Sequence, residues 1–212
     1  MILKNYYYYH VNAIPHSLCD DIIKEGKRIG VTSGLIGGVV DDKTLKRTKD
    51  DKELHKKRKS LVSFFSEPWV YKELHPFIHA ANNDAGWRFQ WDHSEAVQYT
   101  EYNVGEYYGW HADSWEEPYK DNKTPAYNGR IRKLSMTLSL TDPEEYDGGN
   151  LEFDFRNDTD YENSKTSKRL CTEIRPKGSM IVFPSFVWHR VTPVTRGLRQ
   201  SLVMWSLGKP FV

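Results

Sequence analysis

The sequence predicts a mainly β fold, a barrel or sandwich with helices packed at its N-terminal side (α+β). Three observations predict this. Leu134, Met136, Leu138 and Leu140 alternate strictly with Ser135, Thr137 and Ser139, the period-2 signature of a half-buried strand. Turn-then-strand units recur after Asp147-Gly148-Gly149-Asn150 and after Lys177-Gly178. Helical periodicity is confined to the first part of the chain.

The elements follow in order. Tyr6 to Tyr9, Val11 and Ile14 suit a first strand. Ser17 can cap a helix running to about Ile29, with Leu18, Ile22 and Ile23 on one side and Gly30 as the stop. Residues 31–59 then change character. Gly34, Gly37 and Gly38 precede a mixed-charge run from Asp41 to Lys52 and the basic Lys56-Lys57-Arg58-Lys59. Charge without apolar period reads as a solvated loop, and long loops also serve as lids over clefts. Residues 68–83 look helical, with Pro68 at the start and Trp69, Leu74, Phe77 and Ile78 as apolar contacts. From Trp87 onward the pattern turns to strands, carried by Phe89, Trp91, Val97, Tyr99 and Tyr102. Leu151, Phe153 and Phe155 form an alternating strand after the Gly148-Gly149 turn, which reads as a tight hairpin because no helix pattern follows. Met180, Val182 and Phe183 form the next, and Ser201 to Leu207 closes the series.

The 212 residues suit one domain with a sizeable core, residues 1–90 supporting a β core over 91–212. Seven Trp, thirteen Tyr and nine Phe supply area to bury. A net charge of +1 argues against a dedicated nucleic-acid binder. Cys19 and Cys171 are too few for a disulfide framework or a four-thiolate zinc site. The start, Met1 to Tyr6, has no basic head followed by an apolar run, and no stretch reaches the length of a membrane span. A soluble, reducing, cytoplasmic setting is the expectation.

The chemistry centres on Tyr108-Gly109-Trp110-His111-Ala112-Asp113. On an extended segment, positions i and i+2 share a face, so His111 and Asp113 can converge on one metal ion. His189 is the candidate for a third ligand, near a strand end after Val182. Two His and one carboxylate leave coordination positions open, as in the facial triad of non-haem Fe(II) oxygenases, although a zinc hydrolase accepts such ligands too. Each element is weak alone, since His-x-Asp pairs arise by chance. Arg199, ten residues past His189 and on the next strand, adds to them. A buried guanidinium needs an anion, and its planar fork suits a carboxylate.

Four segments resemble the prolyl 4-hydroxylase branch of the Fe(II)/2-oxoglutarate dioxygenases, and in particular the PKHD-type hydroxylases of bacteria and phages. They are Tyr102 to Asp113; Leu134 to Leu140 with Tyr146 to Leu151; Lys177 to Ser185; and His189 to Arg199. They stand in family order within about residues 97–207, and residues before 90 match only in general character. The resemblance implies a double-stranded β-helix (jelly-roll) with iron at its mouth. It implies Fe(II) on His111, Asp113 and His189, and 2-oxoglutarate on Arg199 with Tyr102 beside it. Ser201, on the same strand face as Arg199, could add a hydrogen bond. Tyr108 and Trp205 would line the substrate site. Arg199 replaces the lysine of many collagen-type relatives. O2 would be the oxidant and ascorbate the supporting reductant, with a C–H bond hydroxylated and succinate and CO2 released. The implied substrate is a prolyl residue in a peptide or protein. Free amino-acid hydroxylation stays open. AlkB-like nucleic-acid demethylation is less favoured, because the stretch after Arg199 ends in Trp205 where such enzymes carry a second arginine. An inactive barrel acting as a binding module is the non-enzymatic alternative.

Overall fold

The computed structural model describes residues 3–34, 57–114, 117–120, 124–155 and 167–211. Most of the 31–59 excursion, and with it the lid expectation, lies outside the described residues; only its two ends are described. Strand β1 (Tyr8–His10) leads into helix α1 (His16–Ile29). Pro15 occupies the cap position and no side chain caps the first turn, so Ser17 sits inside the helix rather than at its cap. Gly30 ends the helix at φ +89°, a conformation that suits glycine. Strands β2 (Thr32–Ser33), β3 (Arg58–Lys59) and β4 (Leu61–Phe65) precede helix α2 (Pro68–Asp84). Val70, Leu74, Ile78 and Ala81 form the buried stripe of α2, at helical spacing.

Residues 87–92 carry no strand, contrary to the expectation for Phe89 and Trp91. The Asn82 side chain satisfies the backbone of Phe89 instead. Its amide donates to Phe89 O at 2.9 Å and its carbonyl accepts from Phe89 N–H at 2.9 Å, so no strand partner is needed.

Strands β5 (His93–Ser94), β6 (Val97–Tyr102), β7 (Tyr107–His111), β8 (Ile131–Ser139) and β9 (Tyr146–Gly148) follow. Then come β10 (Leu151–Asp154), β11 (Lys168–Cys171), β12 (Met180–Pro184), β13 (Trp188–Val191), β14 (Val194–Gly197) and β15 (Arg199–Gly208). The larger sheet runs β1-β12-β8-β15-β6-β4-β2, with β5 beside the far end of β15. The smaller sheet runs β11-β10-β13-β7-β3, and β9 pairs with β14 alone. Every named ladder is antiparallel.

One hydrophobic cluster joins α1 and α2 to the outer face of the larger sheet through Met136, Leu138, Met180, Val182, Leu202 and Met204. A second lies between the sheets and includes Tyr102, Phe153, Ile181, Phe183 and Val191. Strand β12 feeds both, with Met180 and Val182 outward and Ile181 and Phe183 inward. The polar face of β8 is therefore not solvated. Ser135, Thr137 and Ser139 are all buried, on the inner face, which corrects the half-buried reading. The Gly148-Gly149 turn is likewise no hairpin. Both glycines have positive φ, but β9 and β10 belong to different sheets, so the turn is a corner between them.

Helix α1 packs so closely that a Cβ added at Gly26 would fall 2.4 Å from Cγ of the Tyr99 ring and 2.9 Å from Tyr99 Cβ. Glycine to alanine inside a helix ordinarily gains about 0.5–1 kcal/mol. Here overpacking against a fully buried ring, worth about 1–3 kcal/mol, outweighs that gain. Gly26→Ala is expected to lower stability by about 1–2 kcal/mol in urea unfolding; an unchanged or higher midpoint would refute the packing argument.

Candidate metal and anion site

His111 and His189 sit opposite each other in the β7–β13 ladder. Their ring centroids are 4.1 Å apart. The ladder pairs His189 with His111 and Val191 with Tyr108, so β7 carries one extra residue between these pairs. This bulge lets Tyr108 and His111, three residues apart, share the inner face. Tyr108 stacks on the His111 imidazole with centroids 3.5 Å apart.

Each imidazole is oriented by the carbonyl two residues before it. Nδ1–H of His111 donates to Gly109 O at 2.8 Å, and Nδ1–H of His189 donates to Val187 O at 3.0 Å. A carbonyl only accepts, so the proton lies on Nδ1 and each Nε2 presents a lone pair inward. Asp113 meets them from beyond the end of β7, not from the strand itself, so the shared-face argument for i and i+2 does not apply. Its N–H donates to Ser185 O at 2.8 Å. Its Oδ1 lies 3.7 Å from His111 Nε2 and its Oδ2 3.6 Å from His189 Nε2. Among the described residues, His111, Asp113 and His189 form the one such cluster of potential ligands, all within 4.8 Å of one another.

Two serines hold the carboxylate. Ser135 Oγ–H donates to Asp113 Oδ2 at 2.7 Å, and Ser185 Oγ lies 2.9 Å from Ser135 Oγ. Burial raises the Asp113 pKa, but His189, His111, Arg132 and the Ser135 hydroxyl outweigh it and hold the carboxyl below its usual range. Burial, and then His189, push the His111 pKa down, against the opposing pull of Asp113. The carboxylate is thus ionised and the His111 imidazole uncharged near neutral pH. With the His189 Nε2 converging on the same point, the three residues offer a set of ligand atoms that a divalent cation fits.

Arg199 opens β15, two strands after His189 rather than on the next one, and in the other sheet. It is buried at 4% exposure. It pairs in register with Tyr102, whose ring centroid lies 5.4 Å from its Cζ. Nη1 donates to Ser201 Oγ at 3.3 Å. No carboxylate pairs with Arg199 among the described residues. Gly149 makes its space, since a Cβ there would fall 2.7 Å from Arg199 Cδ. A buried guanidinium that lacks an anion is costly, so the pocket suits an anionic ligand. Tyr102 joins this site to the first, because Tyr108 packs against the cluster that contains it.

Trp205 pairs with Ser135, so it shares the inner face. A second bulge, at Lys133, brings Arg132 to that face. The Arg132 guanidinium stacks 3.8 Å from the Trp205 ring and binds both oxygens of Glu95 at 2.6 Å. Tyr119 OH donates to Glu95 Oε1 at 3.1 Å. The Trp205 indole N–H is buried with no acceptor among the described residues. Ser135, Ser185, Arg132 and Glu95 were not legible as site residues in the sequence. Ser135 was legible only as the polar phase of an alternating strand, and Arg132 is out of phase because of the bulge.

The comparisons with known proteins agree with this geometry. The sequence profile of the 2OG-Fe(II) oxygenase superfamily matches residues 97–207. A PKHD-type hydroxylase of Bordetella pertussis is 36% identical over 108 residues, 50% of this chain and 41% of that protein. The PKHD-type hydroxylase YbiX of Escherichia coli is 38% identical over 108 residues, 50% of this chain and 40% of that protein. The match thus spans well under two thirds of either relative. The fold resembles viral collagen prolyl hydroxylase from Paramecium bursaria Chlorella virus-1, with a TM-score of 0.63 at 20% identity over 97% of each chain. It also resembles a Pseudomonas putida prolyl-4-hydroxylase, with a TM-score of 0.65 at 17% identity over 96% of this chain and 93% of that one. These structural likenesses bear on the fold, a jelly-roll of facing antiparallel sheets. With inward-facing ligand types and a matched stretch covering more than half its length, this chain belongs to the 2OG-Fe(II) oxygenase superfamily.

Proposed function

We propose that the chain is an Fe(II)- and 2-oxoglutarate-dependent dioxygenase that hydroxylates a prolyl residue of a peptide or protein. The observation that carries this reading is the pairing of two unsatisfied features inside one barrel. Three converging lone-pair donors call for a cation, and a buried guanidinium calls for an anion. His111, Asp113 and His189 would hold the iron. Arg199, with Tyr102 and Ser201 beside it, would receive the distal carboxylate of 2-oxoglutarate. When bound, iron and co-substrate supply the oxidation, with O2 consumed, succinate and CO2 released and one oxygen placed on a C–H carbon.

The protein orients and shields. The Nδ1–H bonds to Gly109 and Val187 keep both imidazoles facing inward. Ser135 keeps the carboxylate turned toward them. Trp205, Arg132 and Tyr119 add a rim of aromatic and paired charged groups, a surface suited to an uncharged pyrrolidine ring and its flanking amides. The charge of Arg132 is matched by Glu95, and the net charge of the chain is +1, which favours a peptide over a polyanion. Ascorbate would serve as reductant. Names among the relatives point the same way, two solved neighbours being prolyl hydroxylases.

Incubation with Fe(II), ascorbate and 2-oxoglutarate should release succinate, faster when a proline-containing peptide is present. The peptide should gain the mass of one oxygen, and EDTA should abolish both effects. Oxygen gain on an alkylated oligonucleotide or a free amino acid, with none on peptides, would replace the prolyl assignment. Arg199→Leu should raise the KM for 2-oxoglutarate about 10- to 100-fold, the loss of charge-assisted bonds worth about 1.5–3 kcal/mol. Gly149→Ala should raise it less, by about tenfold or below, by displacing the same side chain. An unchanged KM in Arg199→Leu would place the co-substrate elsewhere.

A further inference from the structure

His189 and His111 are held in different ways. His189 lies against hydrocarbon, with the Phe183 ring edge-on at 4.7 Å and Phe153 tilted at 6.3 Å. His111 lies face to face with Tyr108, centroids 3.5 Å apart and planes 15° apart. Tyr108 is covered in turn by the Arg58 guanidinium, 4.6 Å from its ring centroid. Cation, phenol and imidazole thus form a continuous run of contacts, with Tyr108 meeting both of the others.

Arg58 is itself fixed in place. It pairs in register with Tyr108 across the β3–β7 ladder. Its Nε–H donates to Ser60 Oγ at 2.8 Å, and it is 5% exposed. Gly34 leaves it room, since a Cβ there would fall 2.9 Å from Arg58 Nε and 2.6 Å from Ser60 Oγ. A leucine would cover Tyr108 without the cost of burying a charge. A planar cation instead draws the electron-rich face of the phenol toward itself and fixes the tilt of the ring. His111 needs that constraint. Its backbone lies at the end of a bulged strand, and the hydrogen bond that orients its ring, to Gly109 O, comes from within the bulge.

We infer that Arg58 is a positioning residue for the metal centre, acting through Tyr108 to hold the His111 imidazole in its binding orientation. The inference rests on the metal-site reading above and extends it to a residue outside the cluster. In this role Arg58 sets the plane of Tyr108, against which one of the proposed ligands rests. The expected consequence is on metal affinity before any co-substrate or substrate is present.

The test is titration of the full chain with Co(II) alone, followed by its visible absorption, with thermal unfolding of the metal-free variants as a control for folding. Groups that orient a metal ligand typically change affinity 10- to 100-fold. Arg58→Ala and Tyr108→Ala should each weaken Co(II) binding about tenfold, while Tyr108→Phe, which keeps the stacked ring, should stay within about threefold of the parent. Arg58→Ala in a Tyr108→Ala background should cost nothing further, since the stack is already gone. Should Arg58→Ala not fold, Arg58→Leu replaces it and is expected to weaken binding by threefold or more. A loss smaller than threefold in the folded Arg58 variant, or additive losses in the double variant, would overturn the inference. His111→Ala separates the two readings. If it leaves Co(II) binding intact, the metal site itself is misassigned. If it abolishes binding while the Arg58 variants bind normally, only the role of Arg58 fails.

Discussion

The constraint behind the site is the register of one short ladder, β7 against β13. It sets two imidazoles 4.1 Å apart with their lone pairs inward, an arrangement that is repulsive without a cation. The surrounding contacts resist that repulsion. Gly109 and Val187 carbonyls hold the Nδ1 side of each ring. The Ser185 carbonyl holds the backbone of Asp113, and the Ser135 hydroxyl holds its side chain. Gly109 lies in β7 itself, Val187 and Ser185 in the turn between β12 and β13, and Ser135 on β8 of the larger sheet, so the register of the two sheets and the geometry of the cluster are one problem.

Bulges solve a second part of that problem. A regular strand places inward side chains two residues apart. The extra residue on β7 puts Tyr108 inward together with His111, and the extra residue on β8 puts Arg132 inward beside Trp205. Both irregularities aim a large side chain at the mouth of the barrel. The rest of the inner face of β8 is small and polar, with Ser135, Thr137 and Ser139 buried in sequence. Small residues there leave volume, and hydroxyls leave partners, for a polar ligand. The apolar phase of the same strand does the ordinary work of packing against α1 and α2.

Much of this was legible in the sequence, and the misses have physical causes. The helices were legible because Ile22 and the α2 stripe repeat at helical spacing and Gly30 and Pro68 mark ends. The strand phase of β8 and β12 was legible for the same kind of reason. His111, Asp113, His189 and Arg199 were legible as residue types and, in the first pair, as spacing. Period alone could not tell an inner polar face from a solvated one, because Ser, Thr and Ser suit either. It could not place Arg132 or Tyr108 on the inner face, because a bulge breaks the period. It could not see that Asn82 would satisfy the backbone of Phe89, or that Gly148-Gly149 would turn a corner between sheets, because those facts depend on distant partners.

The extra residue in β7 also bears on how this stretch can change in length. Loops ordinarily absorb insertions and deletions, but the Gly109–Trp110 pair lies within β7, between the two residues that pair with β13 and just past those that pair with β3. Losing one residue there would leave Tyr108 and His111 on one face of a regular strand but remove the bulged backbone from which the Gly109 carbonyl reaches His111 Nδ1. Indels between the tyrosine and the first histidine should therefore be far rarer, across natural variants that keep the chemistry, than substitutions at either position.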